Sequence, residues 1–97
     1  MNVFVEKITL DKTGILLVKP KNYSFDKIYR SAMGIYWDDK MCCLYHNPHG
    51  EWGVLRWYEQ ILSAVKSEYG ATLMVCLNTV YENIDVDTKH RIENTVF

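Results

Sequence analysis

The sequence predicts a single α+β domain spanning residues 1–97, a mostly antiparallel sheet with helices packed on one face. Three observations carry that expectation. Two apolar runs flank a Gly-containing turn near the start, and two more flank an acidic turn in the middle. One long segment repeats its apolar residues at helical spacing. The element order that results is ββαββαβ, followed by a polar tail, and strands grouped in hairpins favour antiparallel pairing. Ninety-seven residues leave no room for a second domain.

The first hairpin is read from Val3 to Leu10, where apolar and polar residues alternate, through the turn Asp11-Lys12-Thr13-Gly14, into Ile15-Leu16-Leu17-Val18 and Pro20. Ser24 suits a helix cap, Asp26 falls in the first turn, and Gly34 stands just beyond the end. A short helix from about Phe25 to Met33 is therefore expected, with Phe25, Ile28, Tyr29 and Ala32 on one face. Ile35-Tyr36-Trp37 and Met41 to Tyr45, around Asp38-Asp39-Lys40, read as a second hairpin.

His46-Asn47-Pro48-His49-Gly50 reads as a loop. Trp52 to Tyr69 is the strongest helix signal, with Val54, Leu55, Tyr58, Ile61, Leu62, Val65 and Tyr69 forming the stripe and Gly70 the stop. Ala71 to Leu77 is a nearly unbroken apolar run and predicts a central strand buried on both faces. In the tail, Asp87 is a candidate cap for a last short helix carrying Ile92 and Val96.

Net charge is −1, which argues against a nucleic-acid partner, since phosphate neutralisation needs a basic surface. The charge is uneven: residues 1–30 hold six basic and three acidic side chains, the remainder five and nine. No run approaches the ~20 apolar residues of a membrane span, and the N-terminus lacks the features of a signal peptide. Three cysteines, two of them adjacent, do not make a disulfide framework. A cytoplasmic protein without membrane contact is expected.

No phosphate-binding glycine loop, nucleophile elbow, HExxH or CxxC motif is present, and no cofactor is expected. Three groups of residues are candidates for function. Cys42, Cys43, His46 and His49 lie within eight residues and are of ligand type for zinc, but adjacent strand residues point to opposite faces, so one cysteine at most joins such a site. Of these, His46, His49 and Cys42 are the metal candidates, outweighed by a buried cysteine and solvated loop histidines. His46, His49, Glu51, Asp38 and Asp39 include the makings of a general base, again outweighed by ordinary exposed side chains.

The aromatic group is the better candidate. Tyr36, Trp37, Tyr45, Trp52 and Trp57 cluster in sequence around the hairpin and the helix entry, whereas Tyr58 belongs to the apolar helix stripe and so to the core. Three Trp are more than so small a core readily encloses, and rings left at a surface favour binding. The leading reading is a non-enzymatic interaction module that self-associates, a dimer being favoured, through these rings. The alternatives are a binder of a small apolar or cationic ligand in an aromatic pocket, and a small enzyme or metal protein at the His/Cys loop.

Gly34-Ile35-Tyr36-Trp37-Asp38-Asp39, then Cys43-Leu44-Tyr45, Pro48 and Glu51-Trp52 with the helix that follows, resembles small proteins carried on integron gene cassettes. The resemblance covers the middle third of the chain. It implies a compact α+β protein of the mobile bacterial gene pool, often oligomeric and mostly without assigned activity, with no catalytic residues to carry over.

Overall fold

The computed structural model describes residues 1–30, 34–47 and 52–95. The first hairpin forms from β1 (Asn2–Leu10) and β2 (Leu16–Pro20). Its turn is organised by Asp11, whose carboxylate accepts from the Thr13 and Ile15 amides, both at 2.9 Å, and from the Thr13 hydroxyl at 2.7 Å. Gly14 supplies the positive φ (89°) that closes the turn.

β3 (Ile35–Asp38) and β4 (Cys43–His46) make the second hairpin, and β4 docks antiparallel against β2. α1 (Val54–Tyr69) then crosses the sheet, burying Tyr58, Ile61, Leu62, Ala64 and Val65, and ends on Gly70 at φ 63°. The helix begins at Val54, so Trp52 stands outside it. After the crossover, β5 (Thr72–Met74) and β6 (Val80–Glu82) both run parallel to β1. The strand order is β3-β4-β2-β1-β5, with β6 beside the later residues of β1. α2 (Val86–Glu93) closes the chain against α1 and buries Ile92.

The α+β class holds, with three antiparallel pairings and two parallel ones. Several elements differ from expectation. In place of a helix from Phe25, the described residues hold a single 3₁₀ turn, Ile28–Arg30, while residues 31–33 lie outside the description. Phe25 and Ile28 are both fully buried, and two anchors three residues apart are served by an i→i+3 turn without the cost of nucleating a helix. Tyr29, expected on the same face, is exposed.

The apolar run after Gly70 does not make a central strand buried on both faces. β5 is three residues long at the sheet margin, with Leu73 buried and Thr72 and Met74 half-buried, and Leu77 is fully exposed. The interruption between β5 and β6 is filled by Thr79, a buried polar residue whose hydroxyl donates to the Val5 carbonyl at 2.7 Å and accepts from the Cys76 amide at 2.9 Å. Those bonds satisfy a backbone carbonyl beside the bulge between Val5 and Lys7, where the ladder is broken. In the tail, β6 is an unforeseen strand. The last helix is capped by Asp85, which accepts from the Thr88 amide at 2.7 Å, and not by Asp87, which sits in its first turn; Val96 lies outside the described residues.

Candidate functional site

Strand register divides the aromatic group between opposite faces of the sheet. Cross-strand partners share a face, and consecutive residues alternate. One rung runs Trp37, Leu44, Val18, Ile8, Tyr81, and its three central members have no solvent exposure. This rung faces α1 and α2. The adjacent rung runs Tyr36, Tyr45, Leu17, Thr9, Glu82 and faces the other way, where no described element covers it. The five residues predicted as one site therefore do not come together: Tyr36 and Tyr45 lie on the open face, and Trp37, Trp52 and Trp57 belong to the helical side.

On the helical side the indoles are engaged by their own chain. Trp37 meets Phe25 edge-on at 6.1 Å between centroids, and its Nε1–H donates to Asp39 at 2.9 Å. Phe25 in turn packs against Tyr23 and Tyr69. Trp57 stacks on His46 at 4.2 Å with an interplanar angle of 8°, and Trp52 leans on Trp57 at 4.6 Å. The Arg56 guanidinium lies 4.3 Å above the Trp52 ring, completing a ladder of four planar groups at the entry to α1. Trp52 alone keeps substantial exposure, 38%. Gly34 lies beside the Trp57 ring with room for a Cβ at ordinary contact distance, 3.6 Å, so it is its φ of 87° that favours glycine there.

His46 is not available for the chemistry its position in sequence suggested. It is buried, its Nε2 accepts the Leu16 amide proton at 2.9 Å, and its Nδ1 lies 3.0 Å from the Asn47 carbonyl. That network assigns the neutral tautomer protonated on Nδ1 and engages both ring nitrogens. Burial pushes its pKa below the ordinary value of 6.5. Cys42 is exposed in a turn at φ 54°, Cys43 is buried with its thiol pKa raised by desolvation, and His49 lies outside the described residues. Among the described residues, no three metal-ligating side chains converge.

The model of the integron cassette protein Hfx_Cass5 family matches residues 3–79. The chain belongs to that family. A solved integron cassette protein, Hfx_Cass5 from the mobile metagenome of the North West Arm sewage outfall, is 32% identical. That alignment covers 94% of this chain and 91% of the other, with a TM-score of 0.47. No curated protein matches.

The matched region of this cassette protein takes in β1 through β5 and every open-rung residue except Glu82. Two clefts among the described residues open on or beside this face. One of about 310 Å³ is lined by Lys7, Thr9, Leu17, Lys19, Cys43 and Glu82, among others, and a second of about 380 Å³ by Phe4, Glu6, Lys21 and Cys76. Neither has a tryptophan in its lining. Two of the lysines there are matched by carboxylates: Lys7 pairs with Glu82 at 2.8 Å and Lys19 with Glu6 at 3.2 Å. Thr9 adds a hydroxyl donor to Glu82 at 3.0 Å.

Sequence reasoning passed over Leu17, Thr9, Lys7 and Lys19 as site residues. Their signal was present as alternation in β1 and β2, but assigning it to an open face required the register of four strands. No helix among the described residues is long and apolar enough to cross a membrane.

Proposed function

We propose that this cassette protein is a non-enzymatic, cytoplasmic interaction module whose working surface is the open face of its sheet. The observation that supports this is the rung Tyr36, Tyr45, Leu17, Thr9. Two rings in contact at 5.6 Å and a leucine side chain stand on a sheet face with no covering element among the described residues. An apolar patch rimmed by polar and paired charged groups is the composition of a protein-binding surface. Trp37 and Trp57 are engaged within the chain, which weighs against a tryptophan-lined ligand site. An acid–base or metal role for His46 is disfavoured by its two engaged nitrogens.

The test is site-specific photo-cross-linking in cells expressing the full chain. A photoreactive phenylalanine analogue at Tyr45 is expected to give a discrete protein adduct. The same analogue at exposed Ser67 on α1 serves as control. No adduct at Tyr45 beyond the Ser67 background overturns the reading.

A further inference from the structure

We infer that the cleft between β1 and the connection from β5 to β6 is a binding site for a small apolar carboxylate, its body on Phe4 and its anionic end on Lys21. None of Tyr36, Tyr45, Leu17 and Thr9 lines this cleft, so the inference goes beyond the surface proposed above.

Two interruptions of the sheet coincide to make the cleft. β5 pairs with Asn2, Val3 and Phe4, and β6 with Lys7, Ile8 and Thr9, so neither strand lies beside Val5 and Glu6. β1 also bulges against β2 at that point, between Val5 and Lys7. Thr79 fills part of the gap by taking the Val5 carbonyl at 2.7 Å. The rest stays open, between Phe4, Val5 and Glu6 on one side, Lys21 past the end of β2, and Cys76 and Asn78 of the connection. Hydrogen bonds tie these walls together without a ligand. The Lys21 amide donates to the Phe4 carbonyl at 2.8 Å, and the Cys76 amide to the Thr79 hydroxyl at 2.9 Å. At about 380 Å³ the space falls within the roughly 300–1,000 Å³ of small-molecule sites.

The lining sets the chemistry of the ligand. Phe4 keeps 48% exposure while Val3 and Val5 beside it are buried, so its ring is an uncovered apolar wall. Lys21 has no carboxylate partner among the described residues. Glu6, the one acid in the lining, is already held by Lys19 at 3.2 Å. One ammonium is therefore left unmatched, with the Asn78 side chain near it as a further hydrogen-bond donor. A monoanion with an apolar body satisfies the charge and covers the ring together, whereas a cation would meet Lys21 with like charge.

Phenylbutyrate added to the purified full chain tests this, with the rate of iodoacetamide alkylation at Cys76 as the readout. Exposed Cys42, in the turn between β3 and β4, is the control within the same sample. Saturating acid is expected to slow alkylation of Cys76 at least ~5-fold and to leave Cys42 unchanged. Lys21→Gln and Phe4→Ala are each expected to raise the half-saturating concentration at least ~5-fold with melting temperature retained, while Lys27→Gln, another exposed lysine, does not change it. Two variants on different segments guard against one failing to fold. N-acetylphenylalanine carries the same ring and carboxylate on a peptide unit. Tighter binding of that compound would name a partner's chain terminus as the source of the carboxylate, and tighter binding of phenylbutyrate a free acid; either supports the site. No protection of Cys76 by either acid at about 10 mM overturns the inference. So does equal protection by the neutral phenylbutyramide or by phenylbutylamine, and so does protection indifferent to both substitutions.

Discussion

The two faces of the sheet are built from neighbouring residues of the same strands and have opposite fates. On the helix-covered face, Ile8, Val18 and Leu44 lose all contact with water. One residue away on each strand, Thr9, Leu17 and Tyr45 stay partly in it. Hydrophobicity does not distinguish Leu17 from Leu44, since both are leucines at mid-strand. What separates them is the parity of the register relative to the side on which α1 lands. An apolar side chain on the open face, half-buried like Leu17, holds the chain together less than its counterpart on the covered face.

The comparison is broken most readily by truncating one leucine on each face. Leu44→Ala is expected to cost about 3 kcal/mol of unfolding free energy, from lost burial and the cavity left behind. Leu17→Ala is expected to cost under about 1 kcal/mol in the monomer. Urea denaturation at low protein concentration reads both, and equal losses would mean the open face is a second core.

The indole ladder gives the next largest contrast. Trp57→Ala removes the ring that covers buried His46 and is expected to cost about 2–3 kcal/mol, somewhat below a fully buried Trp. Trp52→Ala, losing an exposed cation–π contact, is expected to cost about 1 kcal/mol or less.

Tyr81 sharpens the comparison from the covered side. Its hydroxyl is buried with no hydrogen-bond partner among the described residues, and desolvation pushes its pKa up to about 12. Tyr81→Phe is expected to raise stability by about 1 kcal/mol, because an unmet hydroxyl carries its desolvation penalty into the folded state. A loss of stability in thermal melts would reveal a partner for that hydroxyl.

The smallest effect is a pH slope. The folded state holds His46 neutral, with a pKa below its unfolded value of 6.5, so the unfolded chain binds the extra proton first. The stability contributed by neutral His46 is complete above pH 6.5 and is lost as pH falls from there through the depressed folded value. Protonation would set a new N–H against the Leu16 amide that Nε2 now accepts. The gap in urea midpoint between wild type and His46→Gln is expected to narrow as pH falls through this window. A gap independent of pH would show that His46 is not held neutral by the fold.

Turn chemistry and periodicity act over a few residues, and the features they govern were legible without coordinates. Asp11 to Gly14 closes a hairpin because one carboxylate accepts three local hydrogen bonds. α1 lies where its apolar spacing placed it, and Gly70 ends it because only a left-handed residue fits there. The segment at Phe25 was misread for the converse reason: capping and spacing signals were present, but burial of Phe25 and Ile28 against Trp37 and α1 is met by one 3₁₀ turn. The run after Gly70 was misread because apolar content reports burial without saying which face or which neighbour supplies it.

Composition, hairpin chemistry and the helical repeat were enough to specify an α+β chain and to mark its aromatic-rich middle. Which aromatic residues share a surface was a matter of register among strands far apart in sequence, and of the side on which one helix crosses. Tyr36 and Trp37 are adjacent in the chain and end on opposite sides of a sheet, because a strand turns alternate side chains through 180° and the helices cover one side. That placement depends on contacts between β1, β2, β4 and β6, and no local pattern encodes it.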